Sequence, residues 1–174
     1  MQVEVVAGDI TRLDVDAIVN AANATLLGGG GVDGAIHAAA GPGLLEECRR
    51  VRRTTHPDGL PVGQAVLTGG HDLPARWVVH TVGPNRHRGQ RDPALLASCF
   101  TQSLRAAAQV GATSVAFPAI GAGAFGWDVE DVARIAVDAV HRTVADGLCG
   151  TVERVVLVPF GARATAAFER ALAR

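Results

Sequence analysis

Short runs with hardly a polar residue recur along the chain: Val3 to Ala7, Ala17 to Asn20, Ala65 to Thr68, Trp77 to Val82, Ser114 to Pro118 and Arg154 to Pro159. A strand that apolar has no face to offer water, so it must be buried on both sides, and a mostly parallel sheet between layers of helices supplies that burial. The intervening segments read as those helices. One runs through Ile36 to Ala40, and Gly41-Pro42-Gly43 separates it from a second that ends near Arg53. Asp92-Pro93 places an N-cap residue before a first-turn proline, after which Leu95, Leu96, Cys99, Phe100, Leu104 and Ala107 share one helical face. Asp128 caps another helix reaching about Val144, and Ala162 to Leu172 closes the chain. The expectation is an α/β fold in one domain, residues 1–174, with about six strands.

Composition removes several functions. With 48% hydrophobic and 19% charged residues the chain is globular, and no apolar run approaches the ~20 residues of a membrane span. No signal-type segment opens the sequence, so a cytoplasmic protein without membrane association is expected. Cys48, Cys99 and Cys149 are odd in number and far apart, which argues against disulfides and a zinc site; no metal and no cofactor are expected. The net charge of −1 gives no general field for nucleic acid, although Arg49, Arg50, Arg52 and Arg53 form a local basic face. Every basic residue is Arg and Tyr is absent, which excludes a P-loop lysine, a Schiff base and a tyrosine acid or base.

Between the second strand and the first helix, Asn20-Ala-Ala-Asn23 leads into Gly28 to Gly31 and Asp33. Four successive glycines suit close backbone approach to an anion, phosphate above all. Asp33 is out of place beside such an anion unless it caps the helix or does chemistry. Ile120 to Gly126 forms a second glycine loop. Gly8-Asp9, both glycine loops and Phe160 all follow carboxyl ends of strands, the edge where open α/β sheets bind ligands. Two loops suggest two phosphates. Gly29, Gly31 and Gly34, and again Gly121, Gly123 and Gly126, also fit G-x-G-x-x-G, so a Rossmann-type oxidoreductase competes. Against it stand the late position of the second loop, the lack of an acidic residue after the next strand, and the missing Tyr/Lys pair.

Taken in order, Gly8-Asp9-Ile10-Thr11, Asn20-Ala21-Ala22-Asn23, Gly28 to Gly34, His80-Thr81-Val82-Gly83-Pro84 and Ile120 to Gly126 resemble the macrodomain family, and within it the MacroD-type ADP-ribosyl hydrolases. The resemblance implies a three-layer α/β/α sandwich with a mixed, mostly parallel sheet. It also implies a single macrodomain, expected to be a monomer, that binds ADP-ribose and ADP-ribosylated proteins. By the same resemblance Asp9 would accept from the adenine amino group, with the Ile10 backbone beside it, and Phe160 would lie against adenine unless it packs in the core. Gly30, Gly31 and Val32 would offer N–H groups to one phosphate, and Gly121, Ala122, Gly123, Ala124 and Phe125 to the other. Phe125 would also border the distal ribose. Asn20 is open between a ligand contact and a structural amide, while His80 reads as structural.

Asn23 and Asp33 are the implied catalytic pair, Asn23 binding the distal ribose and Asp33 acting on a diphosphate-bound water. Ala122 stands where many relatives have Thr or Ser, and Asp128 where they have Pro; these bear on affinity more than on reaction. The implied activity removes mono-ADP-ribose from ester linkages on acidic side chains and deacetylates O-acetyl-ADP-ribose. The alternatives are a reader that binds ADP-ribose without turnover and a hydrolase of ADP-ribosylated nucleic acid.

Overall fold

In a computed structural model describing residues 1–174, the strands are β1 (Gln2–Val5), β2 (Ala17–Ala22), β3 (Ala65–Gly69), β4 (Trp77–Val82), β5 (Ser114–Pro118) and β6 (Arg154–Val158). They form one sheet in the order β1-β6-β5-β2-β4-β3, parallel throughout except for β3, which runs antiparallel to β4 at one edge. The helices are α1 (Gly31–Ala40), α2 (Pro42–Thr54), α3 (Pro93–Gln109), α4 (Val129–Ala145) and α5 (Ala162–Leu172).

The strands β2, β4, β5 and β6 are buried on both faces, as their composition demands, whereas the edge strands β1 and β3 are mostly half-buried. Ile18 lies with Ile36, Leu44 and Cys48 in the layer of α1 and α2, whereas its neighbour Val19 lies with Phe100, Leu104, Val132 and Phe168 in the layer of α3, α4 and α5. Each large apolar side chain fully withdrawn from water contributes ~1.5–3 kcal/mol, so the two cores hold the sheet between its helix layers. On α3, Leu96, Cys99, Phe100, Leu104 and Ala107 are fully buried, and Leu95 at the edge of that face is half-buried. Asp92 and Asp128 cap α3 and α4 through bonds from Ala94 N–H (2.9 Å) and Glu130 N–H (3.0 Å). Gly41 separates α1 from α2 at φ +79°, where a Cβ would also sit 2.6 Å from the Asp72 carboxylate.

Several boundaries differ from expectation, β3 among them, which runs on to Gly69. β1 ends at Val5, and β6 ends at Val158 rather than Pro159, since proline has no N–H for a ladder. β2 runs two residues beyond Asn20, because Ala21 and Ala22 continue to pair with Thr81 and Val82. Asn20 is therefore inside the sheet, not at its end. Two short 3-10 turns, Ile10–Arg12 and Arg86–Arg88, occupy stretches that read only as polar turn and loop.

The basic face of α2 is also more than solvated surface. Arg52 donates to the carbonyls of Thr25 (2.9 Å), His56 (3.0 Å) and Pro57 (3.2 Å), tying the loop after β2 to the end of α2. It thereby steadies one wall of the site described next.

Candidate functional site

Strand order converts scattered sequence positions into one line. Asp9 and Phe160 follow the neighbouring strands β1 and β6; the loop Ile120 to Gly126 follows β5, and the loop from Asn23 to Gly30 follows the adjacent β2. With strands ~4.8 Å apart, the line from β1 to β2 spans ~14 Å of sheet edge.

At its first end, Asp9 accepts from Thr11 N–H (2.9 Å) and Thr11 Oγ1 (2.6 Å), with the Arg12 guanidinium 3.6 Å from its other oxygen. The Thr11 bonds foremost, and Arg12 less, hold its carboxyl below the ordinary range. Its second oxygen remains able to accept from a ligand. Ile10 beside it buries its side chain and keeps an N–H without an intramolecular acceptor. Phe160 is 96% exposed, so core packing does not account for it.

In the middle lie the two glycine loops. From Gly28 to Asp33 no backbone N–H has an acceptor within the protein, and the first to find one is Gly34, which donates to the Gly30 carbonyl (3.3 Å). These donors include Gly30, Gly31 and Val32 and stand at the N-terminus of α1, where the helix dipole adds positive potential. In the second loop Gly121, Gly123, Ala124 and Phe125 likewise have free N–H groups, whereas Ala122 donates to the Ala119 carbonyl (3.1 Å) and closes a turn. Ala122 is thus removed from the expected N–H contacts by its own loop. Trp127 anchors this loop: its Nε1–H donates to Pro84 carbonyl (2.9 Å), Arg86 lies over its ring, and a Cβ on Gly121 would meet it at 3.0 Å. Phe125 is half-buried beside Gly83.

The last part holds the acid. Asp33 sits in the first turn of α1, 5% exposed, but the N-cap is Gly30 and no side chain caps the helix. Its Oδ1 instead accepts from Asn20 Nδ2 at 2.8 Å, with His37 Nε2 3.4 Å away from the same oxygen. Its Oδ2 points under Gly29, where an added Cβ would come within 3.2 Å of that oxygen and 3.4 Å of Asn23 Nδ2. Glycine at that position lets the loop cross directly over both side chains. Asn23 donates from Nδ2 to Gly28 carbonyl (2.9 Å) and accepts from Thr25 Oγ1 (2.6 Å), leaving one amide hydrogen uncommitted. The loop, the carboxylate and the amide are one unit.

Asn20 is corrected from possible ligand contact to buried support: it is 0% exposed and its amide is engaged by Asp33 and by His80 Nδ1 (3.2 Å). His80 is fully buried, and burial foremost, then the nearby His37, push its pKa down to about 3, so it is neutral. His37 is the residue that sequence reading passed over. Its signal was present in the spacing, since i and i+4 on a helix share a face.

The Macro domain family matches residues 19–136. A macro domain-containing protein of Streptomyces griseus is 54% identical over 98% of this chain and 94% of its own length. An O-acetyl-ADP-ribose deacetylase of Klebsiella pneumoniae is 49% identical over 99% of this chain and 97% of its own. The Oceanobacillus iheyensis macrodomain solved with ADP superposes at TM-score 0.88 with 38% identity, covering 97% of this chain and 88% of that one.

Proposed function

The chain belongs to the macrodomain family, and we propose that it is a hydrolase that removes ADP-ribose from ester linkages, on acidic protein side chains and in O-acetyl-ADP-ribose. The observation that carries this reading is the carboxylate of Asp33, nearly buried beneath a loop of unpartnered N–H groups and bonded to Asn20 rather than to the helix end. A site meant only to hold a diphosphate gains nothing from a negative charge at that position.

In the proposed pose adenine lies between Asp9 and Phe160, with the Ile10 N–H beside it. The diphosphate meets the N–H groups of Gly30, Gly31 and Val32 on one side and of Gly121, Gly123, Ala124 and Phe125 on the other. The distal ribose reaches Asn23 and Phe125, which brings the ester to Asp33. Asp33 takes a proton from a water held against the diphosphate as that water attacks the ester. The ester C–O bond breaks, the proton passes to the departing ribose oxygen, and the carrier keeps its carboxylic acid. General-base assistance of this kind supplies ~10²–10⁴-fold in rate. His37 Nε2, 3.4 Å from the Asp33 carboxylate, lies beside the base. O-acetyl-ADP-ribose presents the same ester with acetate as the acid, so one site serves both. The similarity to the Klebsiella pneumoniae deacetylase supports that substrate.

Turnover of glutamate-, serine-, arginine- and nucleic-acid-linked ADP-ribose and of O-acetyl-ADP-ribose by the purified protein tests the proposal. Release from the glutamate and O-acetyl esters, with little from arginine, is expected. Tight binding of ADP-ribose with no release from any of them would replace the hydrolase by a reader.

A further inference from the structure

Behind Asp33 lies a chain of buried polar side chains that the proposed reaction does not itself use. Asn20 on β2 and His80 on β4 are register partners, and Thr68 on β3 lies diagonally across from His80 on the same face. All three are at most 2% exposed. Nδ2 of Asn20 is 2.8 Å from Asp33 Oδ1 and 3.2 Å from His80 Nδ1, and His80 Nε2 is 2.8 Å from Thr68 Oγ1. Asn20 Oδ1 has no partner.

The donors and acceptors along this chain admit one assignment while Asp33 is ionised. A carboxylate only accepts, so Asn20 must present its NH₂ group. That same group faces His80 Nδ1, which must therefore carry the lone pair and leave the ring proton on Nε2. Nε2–H then donates to Thr68 Oγ1, whose own proton turns to the Gly69 carbonyl (3.3 Å). Nothing holds Asn20 from its oxygen end. The orientation of the amide is fixed by Asp33 and by His80 alone. Valine or leucine would fill the same three positions without the desolvation cost of an amide, an imidazole and a hydroxyl, and without an orphaned oxygen. Departures from that simpler core point to a function.

We propose that His80, backed by Thr68, is a positioning residue for Asp33, acting through Asn20. Its lone pair at Nδ1 keeps the Asn20 amide turned so that it donates to the carboxylate. A flipped amide would set Oδ1 against Asp33, repelling its charge and letting it swing from the loop. This role rests on the reading of Asp33 as the base.

The test compares Thr68→Val, His80→Leu and His80→Gln on an ester-linked ADP-ribose substrate. Each is measured for kcat, KM, ADP-ribose affinity and melting temperature. Thr68→Val, close to isosteric, and His80→Leu are each expected to lower kcat roughly tenfold, a part of the ~10²–10⁴ that a general base supplies, with ADP-ribose affinity kept. His80→Gln, able to accept from Asn20 and donate to Thr68, is expected to recover most of that loss. Because the effect passes through Asp33, His80→Leu should add almost nothing on an Asp33→Asn background. If His80→Leu does not fold, Thr68→Val and the same double-mutant comparison carry the test. Unchanged kcat in a folded Thr68→Val protein, a Gln variant no better than Leu, or a loss undiminished on Asp33→Asn would overturn the positioning role alone. Absence of turnover by the wild-type protein would overturn the hydrolase reading and this role together.

Discussion

Asp33 is the residue at which the rival explanations separate most cleanly. Had it capped α1, Asp33→Asn would be nearly harmless, since Asn caps about as well. Its carboxylate is instead 2.8 Å from Asn20 Nδ2 and turned beneath Gly29. Asp33→Asn is therefore expected to fold, to bind ADP-ribose at least as tightly because repulsion of the diphosphate is relieved, and to release glutamate-linked ADP-ribose at least ~10-fold more slowly in single-turnover assays. Wild-type release would remove Asp33 from the chemistry. Gly34 tests the loop above it. Alanine in a helix gains ~1 kcal/mol over glycine, yet a Cβ here would meet the Gly29 carbonyl at 2.6 Å, a backbone atom that yields only if the loop moves. Gly34→Ala should thus lose ADP-ribose affinity about tenfold in calorimetric titration; unchanged affinity would show that the loop adjusts freely. At this scale the amides and glycines were legible because their types are unusual beside apolar strands. The fate of Asn20 was not. Whether an amide near a strand end meets ligand or core depends on how far the partner strand continues, and Thr81 and Val82 continue it by two residues.

Among the elements, strand existence followed from composition, because Val-Val-Leu-Val in β6 or Val-Ala-Phe in β5 can be satisfied only between two helix layers. Strand order did not follow, since nothing local to β1 says that it will pair with β6, some 150 residues later in the chain. Non-local stitches decide such pairings, and Asp16 is one. Its carboxylate accepts from Thr113 N–H (2.7 Å) and Thr113 Oγ1 (2.8 Å), while its N–H donates to Ser114 Oγ (2.8 Å), so the start of β2 is fastened to the start of β5. The Thr113 bonds hold the Asp16 carboxyl below its ordinary value. A carboxyl lowered in the folded state adds stability that is complete above the unfolded pKa, about 3.9, and is lost as pH falls through the folded value. Asp16→Ala should cost about 1 kcal/mol at pH 7, below the ~1.5–3 kcal/mol of charged hydrogen bonds because solvent screens the half-exposed group. By urea unfolding the gap between wild type and variant should narrow below pH ~4. Neutral, buried His80 also weakens both proteins as pH falls below about 6.5, but equally, so it cancels from the difference. A gap that stays constant down to pH 3 would show that Asp16 acts by packing rather than by charge.

Across the whole molecule, the order β1-β6-β5-β2 sets the ligand's shape before any single contact does. An elongated molecule with a flat base at one end and two phosphates in the middle fits this edge; a compact one engages only part of it. At the far end the loop beginning at Asn23 leads into α1 and the loop containing Phe125 leads towards α4, and the His87 ring lies beside Gly126. In the proposed pose ADP-ribose would end there in a free ribose hydroxyl, whereas NAD would continue into a nicotinamide ring that crowds Phe125. Binding to the folded state alone stabilises it by RT ln(1 + [L]/Kd), ~2.7 kcal/mol at a hundredfold excess over Kd. For a domain of this size each kcal/mol is worth ~2–4 °C, so ADP-ribose at that excess should raise the melting temperature by ~5–10 °C. At the same concentration NAD should give a distinctly smaller rise. Phe160→Ala, which removes a 96% exposed ring that packs against nothing, should leave the unliganded melting temperature unchanged while reducing the ADP-ribose shift. A fall in unliganded stability would assign Phe160 to packing after all, and an NAD shift equal to or above that of ADP-ribose would return the site to the dinucleotide oxidoreductase reading.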